Sequence, residues 1–240
     1  MGVVLEVEGL KKFYGQFEAL KGISFEVKEG EIFGLIGPNG AGKTTTLRII
    51  ATLLTMSEGK VKLLGYDLKE NPEKFRENIS YLPEEAGAYR NLTGLDYLRF
   101  MARFYNFSPE KTADFVERAI AIAGLGNRLK DKVGTYSKGM VRKLLLARAL
   151  MTKPVLAILD EPTSGLDVIN SLEVREIIKS YARQGLSVLL SSHNMLEVEY
   201  LSDRVALIDQ GKILAVGTPQ ELKQRYDAPN LEVVFRRIVQ

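Results

Sequence analysis

The segment LIGPNGAGKTTTLRII, residues 35–50, decides the fold of this 240-residue chain. An apolar run leads into a glycine-rich turn, and a second run with apolar positions follows it. The fixed positions of the pattern G-x-x-x-x-G-K-[ST] are filled by Gly37, Gly42, Lys43 and Thr44. Glycines let successive backbone N–H groups approach an anion, and a helix that begins at Gly42 points its positive end at the same anion. The segment therefore predicts a phosphate-binding loop between a buried strand and a helix.

The segments around this loop predict an α/β fold. Residues 3–36 alternate between apolar and polar side chains, which indicates an antiparallel start that leads into a buried strand at 32–36. A helix is expected over 42–54, and short strands over 60–82 are separated by the polar segment 71–78.

Beyond residue 131 helices alternate with strands, which is typical of a parallel sheet. The expected elements are helices at 138–151 and 168–183, strands at 155–159 and 186–190, and a hairpin around 210–211. Thr218, Pro219 and Glu221 predict a capping box that opens a last helix. The final segment, 227–240, has apolar alternation that allows either packing on the core or contact with a partner.

The segment 84–154 predicts a helical lobe inserted in the P-loop core. Thr93 and Ser108 can each cap a helix, and the second helix has Pro109 at its first position and Gly124 beyond its end. We expect a single domain. Its parts are a core with an antiparallel β part over 1–83 and 155–218, the lobe over 84–154, and a tail over 219–240.

The aromatic side chains of the lobe divide into two groups. Tyr97, Phe100 and Phe104 stand at helical spacing, and we expect them to pack in the core of the lobe. Tyr89 and Tyr105 are candidates for a surface that docks a partner.

Composition limits the classes of partner and compartment. With 45% hydrophobic and 26% charged residues the chain has the composition of a soluble globular protein, and its net charge of +3 does not argue for nucleic acid. The absence of cysteine excludes disulfides and thiolate metal sites. No apolar run approaches the roughly 18–20 residues of a membrane span, and the N-terminus lacks a signal-peptide pattern. We therefore expect another polypeptide to cross the membrane if this protein works there.

A second segment, VLAILDEP at 155–162, supports the phosphate-binding loop. It reads as a short apolar strand with Asp160 and Glu161 at its carboxyl end, where ligands bind in open parallel sheets. Asp160 suits the shell of a metal ion, and Glu161 can polarise an attacking water as a general base. The alternative is that both carboxylates cap the following segment.

These motifs, in this order, resemble the ATP-binding cassette ATPases of ABC transporters over essentially the whole chain. GPNGAGKTT is similar to the Walker A loop, LAILDEP to the Walker B strand, and SGLD, which ends at Asp167, to the D-loop. Tyr14 falls at the place of the aromatic side chain that stacks on adenine, although Phe13 and Phe17 compete for that role. His193, the one histidine of the chain, falls at the switch histidine of the family.

The signature element of the family corresponds to YSKGMVRKLLLARAL, with departures from the common form L-S-G-G-Q at Tyr136, Lys138 and Met140. Ser137 and Gly139 are kept, so a capped helix start still offers an anion site. In the family this site covers the γ-phosphate held by a second cassette, across a two-fold interface.

A further departure concerns the glutamine that the family places after the strand leading into the lobe. YLPEE puts Glu84 there, followed by Glu85. Either Glu84 contacts Mg²⁺ directly, or the segment mainly relays motion to the lobe. The form of this segment, with YSKGM, resembles the single-cassette subunits that pair with separate membrane proteins, often exporters.

His193 taken alone could be a core residue or a stray surface group. The resemblance instead implies a phosphate sensor, because the strand before it is expected to lie beside the Walker B strand and to end at the phosphates.

The resemblance implies a complete set of site residues. The catalytic residues are Glu161 and His193. The expected ATP-binding residues are Tyr14, Gly37, Pro38, Asn39, Gly40, Ala41, Gly42, Lys43, Thr44 and Thr45. Residues acting on the nucleotide of the partner cassette are Ser137, Lys138, Gly139 and Met140, with Asp167 in the D-loop. The expected Mg²⁺ ligands are Thr44, Asp160 and, less directly supported, Glu84.

The function implied is that of an ATP-hydrolysing subunit that pairs around two MgATP, as a homodimer, and drives a separate membrane-spanning permease, an exporter. Such a subunit works in the cytoplasm on the inner face of the cell membrane, with no nucleic-acid partner. Two alternatives remain: a cassette ATPase acting on ribosomes or DNA, and a regulatory module that binds ATP without hydrolysing it.

Overall fold

The computed structural model describes residues 2–105 and 108–240. The strands are β1 (Val3–Tyr14), β2 (Phe17–Lys28), β3 (Ile32–Ile36), β4 (Glu58–Leu63), β5 (Tyr66–Asp67), β6 (Ile79–Leu82), β7 (Leu156–Asp160), β8 (Ser187–Ser192), β9 (Arg204–Asp209) and β10 (Lys212–Gly217). The α-helices are α1 (Lys43–Ile50), α2 (Pro72–Asn78), α3 (Gly94–Arg103), α4 (Pro109–Ala123), α5 (Lys138–Leu150), α6 (Val168–Ala182), α7 (Met195–Leu201), α8 (Pro219–Arg225) and α9 (Leu231–Val239).

A six-stranded sheet in the order β10-β9-β3-β8-β7-β6 confirms the predicted α/β fold. All neighbouring pairs in it are parallel except β9 and β10, which form the predicted hairpin. Every residue of β3, β7 and β8 is buried, as expected for strands covered on both faces. A second, antiparallel sheet in the order β2-β1-β4-β5 confirms the antiparallel start.

Two apolar cores lie on opposite faces of the large sheet. Successive residues of β7 alternate between them: Leu156 and Ile158 belong to the core shared with α1 and the antiparallel sheet, Ala157 and Leu159 to the core shared with the lobe. This alternation follows from the period of two along a strand. The large sheet therefore separates the two cores and contributes side chains to both of them.

The caps of the lobe helices form as predicted. The Thr93 hydroxyl accepts a hydrogen bond from the Asp96 amide, and Ser108 opens α4 in the same way. Gly124 ends α4 with a left-handed φ of +57°. The capping box of Thr218 and Glu221 at α8 is also present.

The expectation that Tyr97, Phe100 and Phe104 share the lobe core is wrong for two of the three. Tyr97 is 2% exposed, but Phe100 is 39% and Phe104 is 67% exposed. The buried face of α3 runs through Leu98 and Ala102, so Phe100 is rotated towards solvent, and Phe104 stands beyond the last helical residue. Helical spacing from Tyr97 did not locate the centre of the buried face.

Two segments differ in extent or type from the prediction, and a third resolves an alternative that the sequence left open. The helix expected over 42–54 ends at Ile50, and the chain then passes through Thr52 with a φ of +62°. The polar segment 71–78 contains α2, whose Phe75 is fully buried.

In the final segment, Leu231 and Val234 of α9 are buried and the Leu231 amide donates to Glu199 of α7 at 2.9 Å, so this helix packs on the core. No described helix is long and apolar enough to cross a membrane.

The contrast within α3 gives a stability prediction. Tyr97→Ala should lower the free energy of unfolding by about 3 kcal/mol, because it removes a buried aromatic ring and leaves a cavity. Phe104→Ala should change it by less than about 0.5 kcal/mol, as expected for an exposed position. Urea unfolding followed by circular dichroism measures both, and equal losses would contradict the assignment of the buried face.

Candidate nucleotide site

The loop between β3 and α1 has a conformation that only glycine allows at two positions. Gly42, immediately before α1, has a φ of +108°. A Cβ atom on Gly37 would lie 1.9 Å from the carbonyl oxygen of Ile208. The backbone of 37–42 can therefore wrap closely around an anion, as the sequence predicted.

Lys43 lies inside this loop and is 5% exposed. Its ammonium donates to the carbonyl oxygens of Gly37 at 2.8 Å and Pro38 at 3.2 Å. The same nitrogen lies 3.6 Å from the Glu161 carboxylate. Burial lowers the pKa of Lys43, and the attraction of Glu161 opposes that shift. The loop therefore holds a largely desolvated cation beside the Glu161 carboxylate.

Thr44 and Asp160 provide adjoining oxygen atoms on α1 and β7. The Thr44 hydroxyl lies 3.3 Å from a carboxylate oxygen of Asp160, which is 1% exposed. Hydroxyl and carboxylate oxygens are the donors that Mg²⁺ prefers, and this ion completes its shell with waters and phosphate oxygens. Among the described residues no group of three or more His, Cys, Asp or Glu side chains could hold a metal ion by itself. Two protein oxygens are enough when waters and phosphate oxygens supply the other ligands of Mg²⁺. The residues present therefore fit Mg²⁺.

Glu161 and His193 meet at the carboxyl ends of β7 and β8. Glu161 is 5% exposed and has a φ of +47°, a left-handed conformation that turns its side chain out of the strand direction. Nδ1 of His193 lies 2.9 Å from Oε1 of Glu161. The histidine side chain itself is half exposed. Glu161 thus faces Lys43 of the loop, and His193 contacts Glu161 from the neighbouring strand.

The predicted adenine-stacking position is not singled out by the structure. Tyr14 ends β1, is 48% exposed, and has the Lys12 ammonium 5.2 Å from its ring centre. Phe13 and Phe17 are also exposed, so burial does not choose among the three rings.

The signature residues stand at the start of α5, and the side chains around them belong to the D-loop region. The Ser137 hydroxyl accepts from the Met140 amide at 3.2 Å and caps the helix. A Cβ on Gly139 would meet the side chain of Asn170, and one on Gly165 would meet the Lys138 ammonium. Asp167 caps α6 by accepting from the Asn170 amide at 2.9 Å. The start of α5 and the D-loop of the same chain are therefore in direct contact.

Glu84 contacts the D-loop. Its carboxylate accepts from the Ser164 hydroxyl at 3.2 Å, and its carbonyl oxygen accepts from Arg142 of α5 at 2.8 Å. These contacts join the entry to the lobe, the D-loop and the signature helix, which supports the relay alternative for this segment.

Two residues that the sequence analysis did not select contact Asp160. The Ser191 hydroxyl donates to Asp160 Oδ1 at 2.5 Å, and the Tyr81 hydroxyl lies 3.4 Å from Oδ2. Burial, with a smaller contribution from Asp160, raises the pKa of Tyr81 to about 12, so this phenol is neutral. Their only sequence signal is position: each lies at the carboxyl end of a strand that flanks β7.

Comparison with known proteins agrees with this geometry. A family model described as ABC transporter matches residues 20–164. The chain is 39% identical to the linearmycin resistance ATP-binding protein LnrL of Bacillus subtilis (strain 168), over 92% of this chain and 71% of that protein. It is 37% identical to the daunorubicin/doxorubicin resistance ATP-binding protein DrrA of Streptomyces peucetius, over 91% of this chain and 66% of that protein.

A solved structure of an ATP-binding subunit of an ABC transporter has the same fold, with a TM-score of 0.86, 30% identity, and coverage of 99% of this chain and 100% of that one. The phosphate loop, the paired carboxylates and the histidine stand at adjoining strand ends in a chain that the family model matches over more than half its length. The chain therefore belongs to the ABC transporter family, as an ATP-binding subunit that hydrolyses ATP.

Proposed function

We propose that this chain powers a drug-exporting ABC transporter by closing as a pair of cassettes around two MgATP and opening after hydrolysis. The observation that carries this proposal is the meeting of Lys43, Glu161 and His193 at one point, with Nζ–Oε1 and Nδ1–Oε1 distances of 3.6 and 2.9 Å. Hydrolysis of a triphosphate needs a cation that binds the phosphates and a base that activates water. Lys43 and Glu161 supply these two groups, and His193 contacts the base.

In this mechanism backbone N–H groups within 39–45 and Lys43 bind the β- and γ-phosphates. Thr44 and Asp160 would hold Mg²⁺, which neutralises phosphate charge when bound. Glu161 accepts a proton from the water that attacks the γ-phosphorus, while the bond from that phosphorus to the ADP oxygen breaks. His193 donates a hydrogen bond to the γ-phosphate and holds the Glu161 carboxylate in line. Water is the nucleophile, so no covalent enzyme intermediate forms.

The proposed pairing of two cassettes uses the anion site at the start of α5. Ser137 and the Gly139 amide form an anion site at the positive end of a thirteen-residue helix. In a homodimer this site would cover the γ-phosphate on the partner cassette, with Lys138 adding a positive charge and Met140 lying beside it. Asp167 holds the D-loop against the same helix start through Asn170. Closure would then require nucleotide on both cassettes.

The export role and the cargo class rest on the relatives. The relatives compared above are named resistance ATP-binding proteins, one for linearmycin and one for daunorubicin and doxorubicin. We infer a drug-like cargo moved by a separate permease, with this chain held at the cytoplasmic face of the membrane by that permease. The alternatives of a ribosome- or DNA-directed ATPase and of a non-hydrolysing module receive no support from these relatives or from the site.

The permease docking surface is proposed for the entry to the lobe. Tyr89, Phe100 and Phe104 form an exposed aromatic ridge, in which ring centres are 5.5 Å apart for the first pair and 5.0 Å for the second. A cavity of about 290 Å³ at the start of the same segment is lined by both acidic and basic side chains, Glu84 and Glu85 with Lys138 and Arg142. An exposed apolar ridge suits a helix of the permease that presents apolar side chains.

Pairing is tested with the Glu161→Gln chain, in which hydrolysis is slowed but ATP binding is kept. With ATP and Mg²⁺ its mass in solution should double from 26.8 kDa, because the closed pair accumulates. Light scattering with ADP in place of ATP provides the control and should give the monomer. Adding Ser137→Arg to the same chain should abolish the increase. If the Glu161→Gln chain binds ATP but stays monomeric, closure as a homodimer is contradicted.

The role of His193 is tested by replacement. His193→Ala should lower kcat by about 10²-fold or more, the usual range for loss of one hydrogen-bond donor to the transition state, while ATP affinity changes little. His193→Gln, which keeps a hydrogen-bond donor, should lose less. Steady-state ATPase rates with measured nucleotide affinity separate the effects, and full kcat in the alanine variant would exclude a catalytic role.

The docking surface is tested with Phe104→Glu, which places a charge on the aromatic ridge. ATP hydrolysis by the isolated chain should be unchanged, while the affinity for the permease in solubilised membranes should fall by at least about tenfold, the loss typical of an aromatic interface anchor. Tyr66→Glu, at an exposed position on the antiparallel sheet, is the matched control. Equal co-purification of both variants with the permease would place the docking surface elsewhere.

A further inference from the structure

One buried hydroxyl connects the two carboxylates of the site. Ser191, on β8, is fully buried and pairs in register with Asp160 on β7. Its Oγ donates to Asp160 Oδ1 at 2.5 Å and accepts from the Glu161 amide at 3.1 Å. The single hydroxyl proton is used on Asp160, so the Glu161 amide must bind a lone pair of the same oxygen.

The first of these bonds fixes an oxygen that faces the metal site. Asp160 Oδ1, which Ser191 binds, is also the oxygen that lies 3.3 Å from the Thr44 hydroxyl. A carboxylate held at one oxygen by a buried donor cannot rotate freely about its last bond. The spacing between the two proposed Mg²⁺ ligands therefore depends on Ser191.

The second bond supports an uncommon backbone conformation. Glu161 is a non-glycine residue with a φ of +47°, a region that costs about 1–3 kcal/mol and persists where surrounding contacts impose it. Its amide donates to both the hydroxyl and the carbonyl oxygen of Ser191, at 3.1 and 3.2 Å. This turn aims the Glu161 carboxylate at Lys43 and His193.

We propose that Ser191 is a positioning residue that sets Asp160 for Mg²⁺ and Glu161 for water activation at the same time. The proposal rests on the roles given to those two residues under the proposed function. Ser191 itself is fully buried, so it acts on the reaction through these two residues. Its contribution is to keep the two carboxylates at a fixed spacing on the ends of neighbouring strands, as outer partners do for metal ligands.

The chain contains a matched control on the same strand. Ser187 is 1% exposed, lies four residues earlier on the same face of β8, and its hydroxyl accepts from the Gly30 amide at 3.1 Å. Ser187→Ala therefore removes an equally buried hydroxyl far along the strand from Asp160. Any loss common to both alanine variants measures the cost of a missing hydroxyl, and any loss confined to Ser191→Ala measures positioning.

The test compares the full chain with its Ser191→Ala, Ser191→Val, Ser191→Thr and Ser187→Ala variants. Equilibrium binding of a fluorescent ATP analogue is measured in EDTA and across a Mg²⁺ titration, followed by kcat for ATP at saturating Mg²⁺. Ser191→Ala and Ser191→Val should bind nucleotide normally in EDTA, need about 10–100-fold more Mg²⁺ for half-maximal effect, and lose kcat by a similar factor. Ser191→Thr, which keeps the hydroxyl, and Ser187→Ala should follow the wild type.

Equal Mg²⁺ dependence in the threonine and valine variants would overturn the proposal. This pair has the same shape and differs in the hydroxyl, so it decides the matter even if the alanine variant does not fold. The same loss in Ser187→Ala as in Ser191→Ala would also overturn it. Binding and hydrolysis that do not depend on Mg²⁺ in the wild type would instead contradict the proposed function, and this proposal would fall with it.

Discussion

The parallel pairing of β3, β8 and β7 is the constraint on which the rest of the structure depends. Leu35 pairs with Ser191 and Asp160 pairs with the same serine, so the three strands end at one level. The phosphate loop, the histidine turn and the two carboxylates each follow directly from one of those ends. A shift of one residue in either pairing would turn every side chain of the strand to the other face and separate these groups.

The sequence carried enough information to place this part of the molecule. The apolar runs before Gly37 and Asp160 predict strands buried on both faces, and such strands occur in parallel sheets covered by helices. Gly42 is required by its own left-handed backbone conformation, so it is informative without any knowledge of distant contacts, whereas Gly37 is required by the close approach of Ile208. Capping residues such as Thr93 and Thr218 bind backbone groups within one helical turn. The helix starts predicted from them depend on local sequence alone, and they are confirmed.

What the sequence did not predict depends on contacts between distant segments. Phe100 and Phe104 have the spacing of a buried face, but the position of that face on α3 is set by α4 and α5. For the segment 227–240 the sequence left open whether it packs on the core or contacts a partner, and the packing of α9 depends on Glu199 of the distant helix α7, which binds the first amide of α9. The sequence does not single out Ser191, because serine is a common residue with no role of its own. Its role comes from Asp160, which lies opposite it on the neighbouring strand.

The departures of this chain from the common family pattern share one electrostatic consequence. Glu84 adds a negative charge at the entry to the lobe, and its carboxylate is bound by Ser164 of the D-loop. Lys138 adds a positive charge at the start of α5, and it lies over Gly165 of the same loop. The D-loop is thus held between an added anion and an added cation of its own chain. Each of these two charges therefore contacts the D-loop of its own chain. The glutamate at the family's glutamine position is accounted for by this contact, and it need not serve the metal to be consistent with an active site.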